Sequence, residues 1–360
     1  MSLARHHIAA VEQAEISCAY PRTVGRNARL GSHGDGGKDA ITIIRTDSGH
    51  TGWGLTAGRP VDPETVIGRP VDELFDAASG VLDPALQSLD FALHDLAGVL
   101  LDLPVHALLG GAGTSAVTTY DGAIYFDDLD PEEDPRGIPA VLENCAADDA
   151  AGHRAFKIKI GRGNRWMDTE AGDQRDIQVV RAIREAYPEH RLLVDANDGY
   201  SLDRMIEFLD IVADCDLYWV EEPFGDDPEW LAALRKHLDA QGSPTLIAEG
   251  ETDPDLEALL PVAAAGSINV MLMDVVGFGL TPWRTVMPQL VETGVKASPH
   301  AWGRPLKTLY AAQMAAGMGN IDVVEGVPGE TLGVDSTAYP FAVGVITVPD
   351  RPGFGLELRG

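Results

Sequence analysis

Hydrophobic and polar positions recur with two different periods along the chain, and the places where the period changes divide it. From Ile8 to about Gly54 the texture is extended, and two strands are predicted, the clearer at Asp39-Ala40-Ile41-Thr42-Ile43-Ile44. A glycine-rich loop from Val24 to Lys38 separates them. From about Pro63 to Leu101 the spacing is helical, strongest from Ala85 to Leu96. From about Ala116 short apolar runs alternate with amphipathic stretches. Strands are predicted to begin near Val117, Phe156, Leu192, Leu217, Leu246, Ile268, Val295 and Ile321, with helices such as Asp203 to Cys215, Asp227 to Ala240 and Pro282 to Thr293 between them. Eight strands alternating with helices are the pattern of a closed parallel barrel. After about Val327 the alternation gives way to Gly- and Pro-rich chain with one apolar run, Phe341 to Val348, that reads as strand. The expected organisation is an α+β domain over 1–115, a barrel over 116–326, and a segment over 327–360 that packs back on the first domain.

Several of the barrel's strand ends carry charge. In Phe156-Lys157-Ile158-Lys159-Ile160-Gly161 apolar and basic residues alternate strictly, which puts both lysines on one face. Alone, this would read as an edge strand with its lysines in water, because buried lysines are rare unless paired. Downstream come Val194-Asp195-Ala196-Asn197, Trp219-Val220-Glu221-Glu222-Pro223 and Ile247-Ala248-Glu249-Gly250-Glu251, each an apolar run ending in carboxylate. Catalytic groups of such barrels gather at the C-terminal ends of the strands, so three strands ending in acid point to one shared site.

Composition narrows the partners. A formal net charge of −29 argues against nucleic acid or an anionic membrane as partner. Cys18, Cys145 and Cys215 are scattered and lack metal-ligand spacing, so they read as reduced packing residues. No N-terminal apolar segment resembles a signal peptide and no run reaches membrane-spanning length, which makes a cytoplasmic location the expectation. The glycine-rich loop is not a phosphate-binding loop: Ser32 stands where the first Gly is needed, and Asp39 rather than Ser or Thr follows Lys38. It reads instead as a flap whose Arg22, Arg26 and His33 could reach a substrate.

Three converging carboxylates offer only oxygen and suit a hard divalent cation, with Mg²⁺ the natural choice and Asp195, Glu221 and Glu251 its ligands. Any one of them alone would read as a helix N-cap or surface acid. At this point the chain resembles the mandelate racemase subgroup of the enolase superfamily. The Lys-x-Lys strand, the Val-Asp-Ala-Asn, Glu-Glu-Pro and Gly-Glu ends, and Ser298-Pro299-His300 occur in that family's order; Ala92 to Gly98 with Leu108 to Gly111 matches its capping domain.

The resemblance implies a modified (β/α)7β barrel under an α+β capping domain, one Mg²⁺ per site, and removal of the proton α to a substrate carboxylate. It casts Lys159 as a base on one face and Lys157 as the cation that depresses its pKa and neutralises the enolate. His300, oriented by Asp274, is the base of the opposite face. Glu325 matches the family's late carboxylate and would have to be protonated to hydrogen-bond the substrate. Asn197, two residues past Asp195, is placed to touch substrate or a supporting group. Glu249 is expected inward, on Lys157 or a substrate hydroxyl, the former preferred. Lys159 and His300 both remain open as the abstracting group. Within this frame, dehydration of a sugar acid or hydroxy diacid to a 2-keto acid is the leading expectation. A racemase or epimerase of a 2-hydroxy acid is the alternative, and a binding protein without turnover is third. The family also implies a homo-oligomer, dimer or octamer.

Overall fold

The computed structural model describes residues 2–251 and 254–359. Strands at Ala116–Ile124, Ala155–Lys159, Arg191–Asp195, Leu217–Glu221, Leu246–Glu249, Val270–Met271, Lys296–Ala297 and Val324–Gly326 form the barrel, here numbered first to eighth. The first seven pair in parallel, each with its successor. The eighth pairs in parallel with the first, and Ala297 bridges Ile321 just ahead of the eighth, so the ring closes. Helices occupy the seven connections between strands.

Strands of a parallel barrel are covered on both faces, which is why they are apolar throughout except where a charge is aimed at the mouth. Phe156, Ile158 and Ile160 face the helical layer with Val194 and Val220. On the lumen side Tyr120, Ala155, Leu193, Trp219, Ala248, Val270, Leu272 and Val323 pack as a dry floor. Lys157, Asp195 and Glu221 stand two residues beyond Ala155, Leu193 and Trp219, so the same face that builds the floor carries the charges above it.

The N-terminal half of the cap is a three-stranded antiparallel sheet rather than the two strands expected: Ile8–Val24, Gly34–Thr46 and Thr51–Leu55. Most of the glycine-rich stretch is strand, and the open loop shrinks to 25–33. Gly36 passes so close to the first strand that a Cβ there would lie 2.1 Å from the Cys18 carbonyl, which accounts for glycine in a stretch that reads as loop. The helical spacing from Pro63 becomes a true helix only at Asp90–Leu101. Before it, Pro63, Pro70 and Pro84 and the left-handed Gly68 and Gly80 break the chain into 3-10 turns and a small hairpin.

That helix is buried on nearly every face and serves as the core of the cap. The sheet reaches it by close approach: a Cβ at Gly52 would lie 2.4 Å from the Leu96 backbone nitrogen. Its polar groups tie outward. Asp95 accepts from Trp53 N (2.9 Å) and Phe354 N (2.8 Å), and Asp90 accepts from Thr281 Oγ1 (2.7 Å) on a barrel helix. Phe91 stacks on Tyr310 of the helix Pro305–Met318, 4.5 Å between centroids.

The C-terminal segment serves both parts. Glu330–Leu332 adds a fourth strand to the cap sheet beside Ile8–Val24. The Phe341 to Val348 run is not one strand packed on the cap; it folds at Val343-Gly344 into a hairpin whose second arm pairs antiparallel with the first barrel strand. Among the described residues no helix is long and apolar enough to cross a membrane.

Two stability outcomes follow from this packing. Gly52→Ala should lower the urea midpoint by an amount equivalent to about 1–3 kcal/mol, the usual cost of overpacking against backbone that cannot yield. An unchanged midpoint would contradict the close approach. His153 lies buried against Phe341, 4.8 Å between rings, and burial holds its pKa at about 4. A folded value below the unfolded one means stability is present above about pH 6.5 and is lost as pH falls toward 4. Relative to His153→Phe, the wild-type chain should lose about 3 kcal/mol between pH 7 and pH 4. A difference independent of pH would show that the imidazole titrates normally.

Candidate active site

The second barrel strand puts both lysines in the lumen, 1% and 3% exposed. An ammonium in that setting needs anions, and the neighbouring strands supply them. Lys157 Nζ is 2.7 Å from Glu221 Oε1, 2.7 Å from Glu325 Oε1 and 3.3 Å from Asp195 Oδ2. Lys159 is paired with Asp195. Burial works against the charge on each lysine, but the facing carboxylates outweigh it and raise both pKa values. Lys157 does lower its neighbour, as expected, but less than Asp195 raises it, so the net depression expected for Lys159 is absent.

Asp195, Glu221 and Glu251 each bring a carboxylate oxygen within 4.8 Å of the other two. Burial opposes ionisation at both Asp195 and Glu221, with opposite results. The two lysines hold Asp195 below its usual range, whereas Glu221, facing Asp195, Glu325 and Glu251 as well as Lys157, is pushed well above it. Glu251 Oε2 is buried without a partner. Oxygen donors in excess of the local cations, with one orphaned, fit a hard divalent ion held by these three side chains.

Across the mouth from the lysines, His300 leaves the seventh strand with Nδ1 2.9 Å from Asp274 Oδ2 and Nε2 3.2 Å from Glu251 Oε1. Asp274 has two roles at once. Its Oδ1 accepts from Val276 N and Gly277 N as a helix cap, and its Oδ2 holds the imidazole and also Lys307, 2.7 Å away. Burial would raise Asp274, but His300 and Lys307 hold it below the usual carboxylate range. His300 is raised: burial disfavours its charge, yet Glu251, Glu325 and Asp274 prevail.

Three expectations are corrected here. Glu325 was expected protonated. Burial does favour that, but Lys157 and His300, with Ala301 N donating to Oε2 at 2.8 Å, lower its pKa below the usual value. Glu249 does not reach Lys157. Ala248 faces the lumen, so Glu249 points outward, and the left-handed Gly250 (φ 93°) re-aims the chain to bring Glu251 back. Burial, then Asp226 and Glu222, push Glu249 well up, and its Oε1 lacks a partner.

The third correction concerns the flap. Arg22 pairs with Asp148 (2.7 Å) on the outer side of the barrel. Arg26 pairs with Asp130 and lies over Trp166, and Arg29 pairs with Asp198. None of these guanidinium groups is free for a substrate. His33 does come to the mouth: its Nδ1 donates to Gly25 O at 2.8 Å, and its ring meets Tyr125 edge-on at 4.7 Å. Asn197, left-handed at φ 42°, donates through Nδ2 to Glu222 Oε2 at 3.3 Å, leaving Oδ1 unpartnered.

Sequence reasoning missed Lys307, Tyr125, Trp302 and Glu222 at this mouth. Glu222 had a signal, as the second acid of the Glu-Glu pair. Burial and the nearby Glu251 and Asp195 push its pKa up to about 8. Lys307 had none, because a lysine in a helix ordinarily faces water.

Fold and site together define a barrel enzyme whose lysines, carboxylates and histidine converge on one mouth. A family described as Enolase C-terminal domain-like matches residues 140–360, and the chain belongs to the enolase superfamily. It is similar to the D-galactarolactone cycloisomerase of Agrobacterium fabrum, 29% identical over 355 residues, covering 89% of this chain and 88% of that protein. The galacturonate dehydratase from Geobacillus sp., solved with D-galacturonate and 5-keto-4-deoxy-D-galacturonate, is 31% identical with a TM-score of 0.91, covering 99% of this chain and 95% of that one. A mandelate racemase/muconate lactonizing protein from Geobacillus sp. Y412MC10, solved with magnesium and tartrate, is 31% identical with a TM-score of 0.92, covering 99% and 93%. Curated relatives are acid-sugar cycloisomerases and dehydratases, with some epimerases.

Removing the central cation should expose how much the carboxylates depend on it. Lys157→Met is expected to destabilise the metal-free protein by about 3 kcal/mol, since it leaves buried carboxylates facing one another. A urea titration giving wild-type stability would show that the acids are relieved by other means.

Proposed function

We propose that this enzyme removes the proton α to the carboxylate of a polyhydroxylated acid, expels the β-hydroxyl as water, and releases a 2-keto acid after tautomerisation. The observation that carries this reading is the placement of two candidate bases on opposite flanks of one carboxylate triad, Lys159 against Asp195 and His300 against Glu251. In this reading Asp195, Glu221 and Glu251 hold Mg²⁺, which when bound supplies the positive charge that stabilises the electron density building on the substrate carboxylate.

The chain's own residues do the rest. Lys157, fixed between Glu221 and Glu325, is a cation positioned where that charge develops. Asp274, itself bonded by Lys307, holds the His300 ring through Nδ1 so that Nε2 faces the mouth. One of Lys159 and His300 takes the α proton. His300 or another nearby acid in its protonated form donates to the departing hydroxide, so the electron pair left at the α carbon forms the C=C bond as the C–O bond breaks, and the hydroxide leaves with the donated proton as water. A base must be neutral to act, and facing carboxylates raise the pKa of both groups; of these, Asp195 beside Lys159 and Glu251 beside His300 are ones the metal would engage.

Arg22, Arg26 and Arg29 are committed to Asp148, Asp130 and Asp198, so none of them offers a free guanidinium to a distal carboxylate. A sugar monoacid is the better substrate class. Its hydroxyls would meet the His33, Tyr125 and Trp302 wall, and aromatic faces of this kind suit the C–H face of a sugar.

Two experiments test this reading. Mg²⁺ at a hundred times its dissociation constant should stabilise the wild type by about 2.7 kcal/mol in thermal unfolding, and Glu251→Gln should lose most of that gain. Equal stabilisation of both would remove the triad as the metal site. A Mg²⁺-dependent screen of sugar mono- and diacids with semicarbazide detection should yield 2-keto acid from at least one monoacid. Inversion at the α carbon without keto acid from any substrate would replace dehydration by epimerisation.

A further inference from the structure

Tyr125 follows the end of the first barrel strand, and it is 1% exposed. Its ring lies over Lys159, with Nζ 5.3 Å from the centroid, and packs against Trp302 at 5.0 Å. Lys159 belongs to the candidate site, so this contact makes the Tyr125 ring part of its wall, within electrostatic range of Lys157, Asp195, Glu325 and Glu251. Yet the hydroxyl oxygen has no hydrogen-bond partner.

Other buried tyrosines of this chain are satisfied. Tyr200 donates to Asp176 at 2.8 Å, Tyr310 accepts from Leu55 N at 3.3 Å, and the Tyr339 hydroxyl accepts from Gln313 Nε2 at 2.7 Å. A buried hydroxyl left alone costs stability that phenylalanine would not cost, so packing does not explain it. Its neighbour His33, whose ring meets Tyr125 edge-on, uses Nδ1–H on Gly25 O, which leaves Nε2 as an acceptor in the neutral ring.

We infer that Tyr125 is a substrate-binding residue that hydrogen-bonds a hydroxyl of the substrate's carbon chain, on the lysine side of the site, and thereby selects hydroxylated acids over short ones. The inference rests on the hydroxylated-acid reading given above. A phenol both donates and accepts, so one sugar hydroxyl, or two adjacent ones shared with His33, would complete its bonding.

The test is Tyr125→Phe, which keeps the aromatic wall and removes one oxygen. In the metal-free, substrate-free protein its melting temperature should equal or exceed that of the wild type, because no partner is lost. With Mg²⁺ present, dissociation constants for galactonate, gluconate and lactate are measured calorimetrically. The wild type should bind at least one six-carbon acid more tightly than lactate, and the variant should lose roughly five- to tenfold of that preference while its lactate affinity stays the same. Full preference retained in the variant overturns the inference, as does a fall of several degrees in melting temperature with sugar acid and lactate weakened alike. A wild type that does not distinguish sugar acids from lactate overturns the hydroxylated-acid reading itself, and this inference with it.

Discussion

Two ammonium groups held in the lumen of a closed barrel are a demand that the surrounding strands must meet. Lys157 and Lys159 sit where water cannot solvate them, so each needs anions within contact distance, and Asp195, Glu221 and Glu325 provide them. The ring geometry makes this possible. Parallel strands in register bring residues of successive strand ends to one level, pairing Lys159 with Asp195 and Asp195 with Glu221 across the sheet. The acids outnumber the lysines, and that imbalance is what suits a divalent cation. The same dry setting strengthens every charge interaction that a reacting carboxylate would feel.

The cap follows from the need to keep that mouth covered. Its helix Asp90–Leu101 is clasped by the sheet at Gly52, by the tail at Asp95 and by a barrel helix through Asp90. Both chain ends therefore contribute to one lid unit, with Glu330–Leu332 on the sheet and Phe354 packed beside Phe91. The flap at 25–33 is held in turn by ion pairs and by hydrogen bonds such as Trp166 Nε1 to Asn27 O at 2.6 Å. Its arginines are used to seat the loop, which leaves His33 and the aromatic residues to face a substrate.

Much of this was legible in the sequence because charge at the end of an apolar run has few explanations. The eight strands, the two lysines and the carboxylates at the ends of three strands could be read from period and order alone. Other features depend on partners remote in sequence. The arginines of the flap look like substrate ligands until Asp130, Asp148 and Asp198 are brought beside them. Glu249 looks inward until the single left-handed Gly250 shows where the chain turns. The stretch from Pro63 to Leu89 has helical spacing, but its prolines and glycines forbid a continuous helix. Tyr125 carries no polar pattern; an aromatic after a strand reads as core until its hydroxyl is found without a partner.

The central claim is that Lys159 and His300 address one α carbon from two sides. Proton NMR in D₂O, with Mg²⁺ and a panel of sugar acids, measures it most directly by following loss of the α-proton signal in wild type, Lys159→Met and His300→Asn. The expected result is α-proton exchange or turnover in the wild type, with the two variants failing differently: one abolishes release of the α proton, the other retains exchange but forms no product. Exchange and product formation that survive both replacements would contradict the account, because the chemistry would then belong to neither residue.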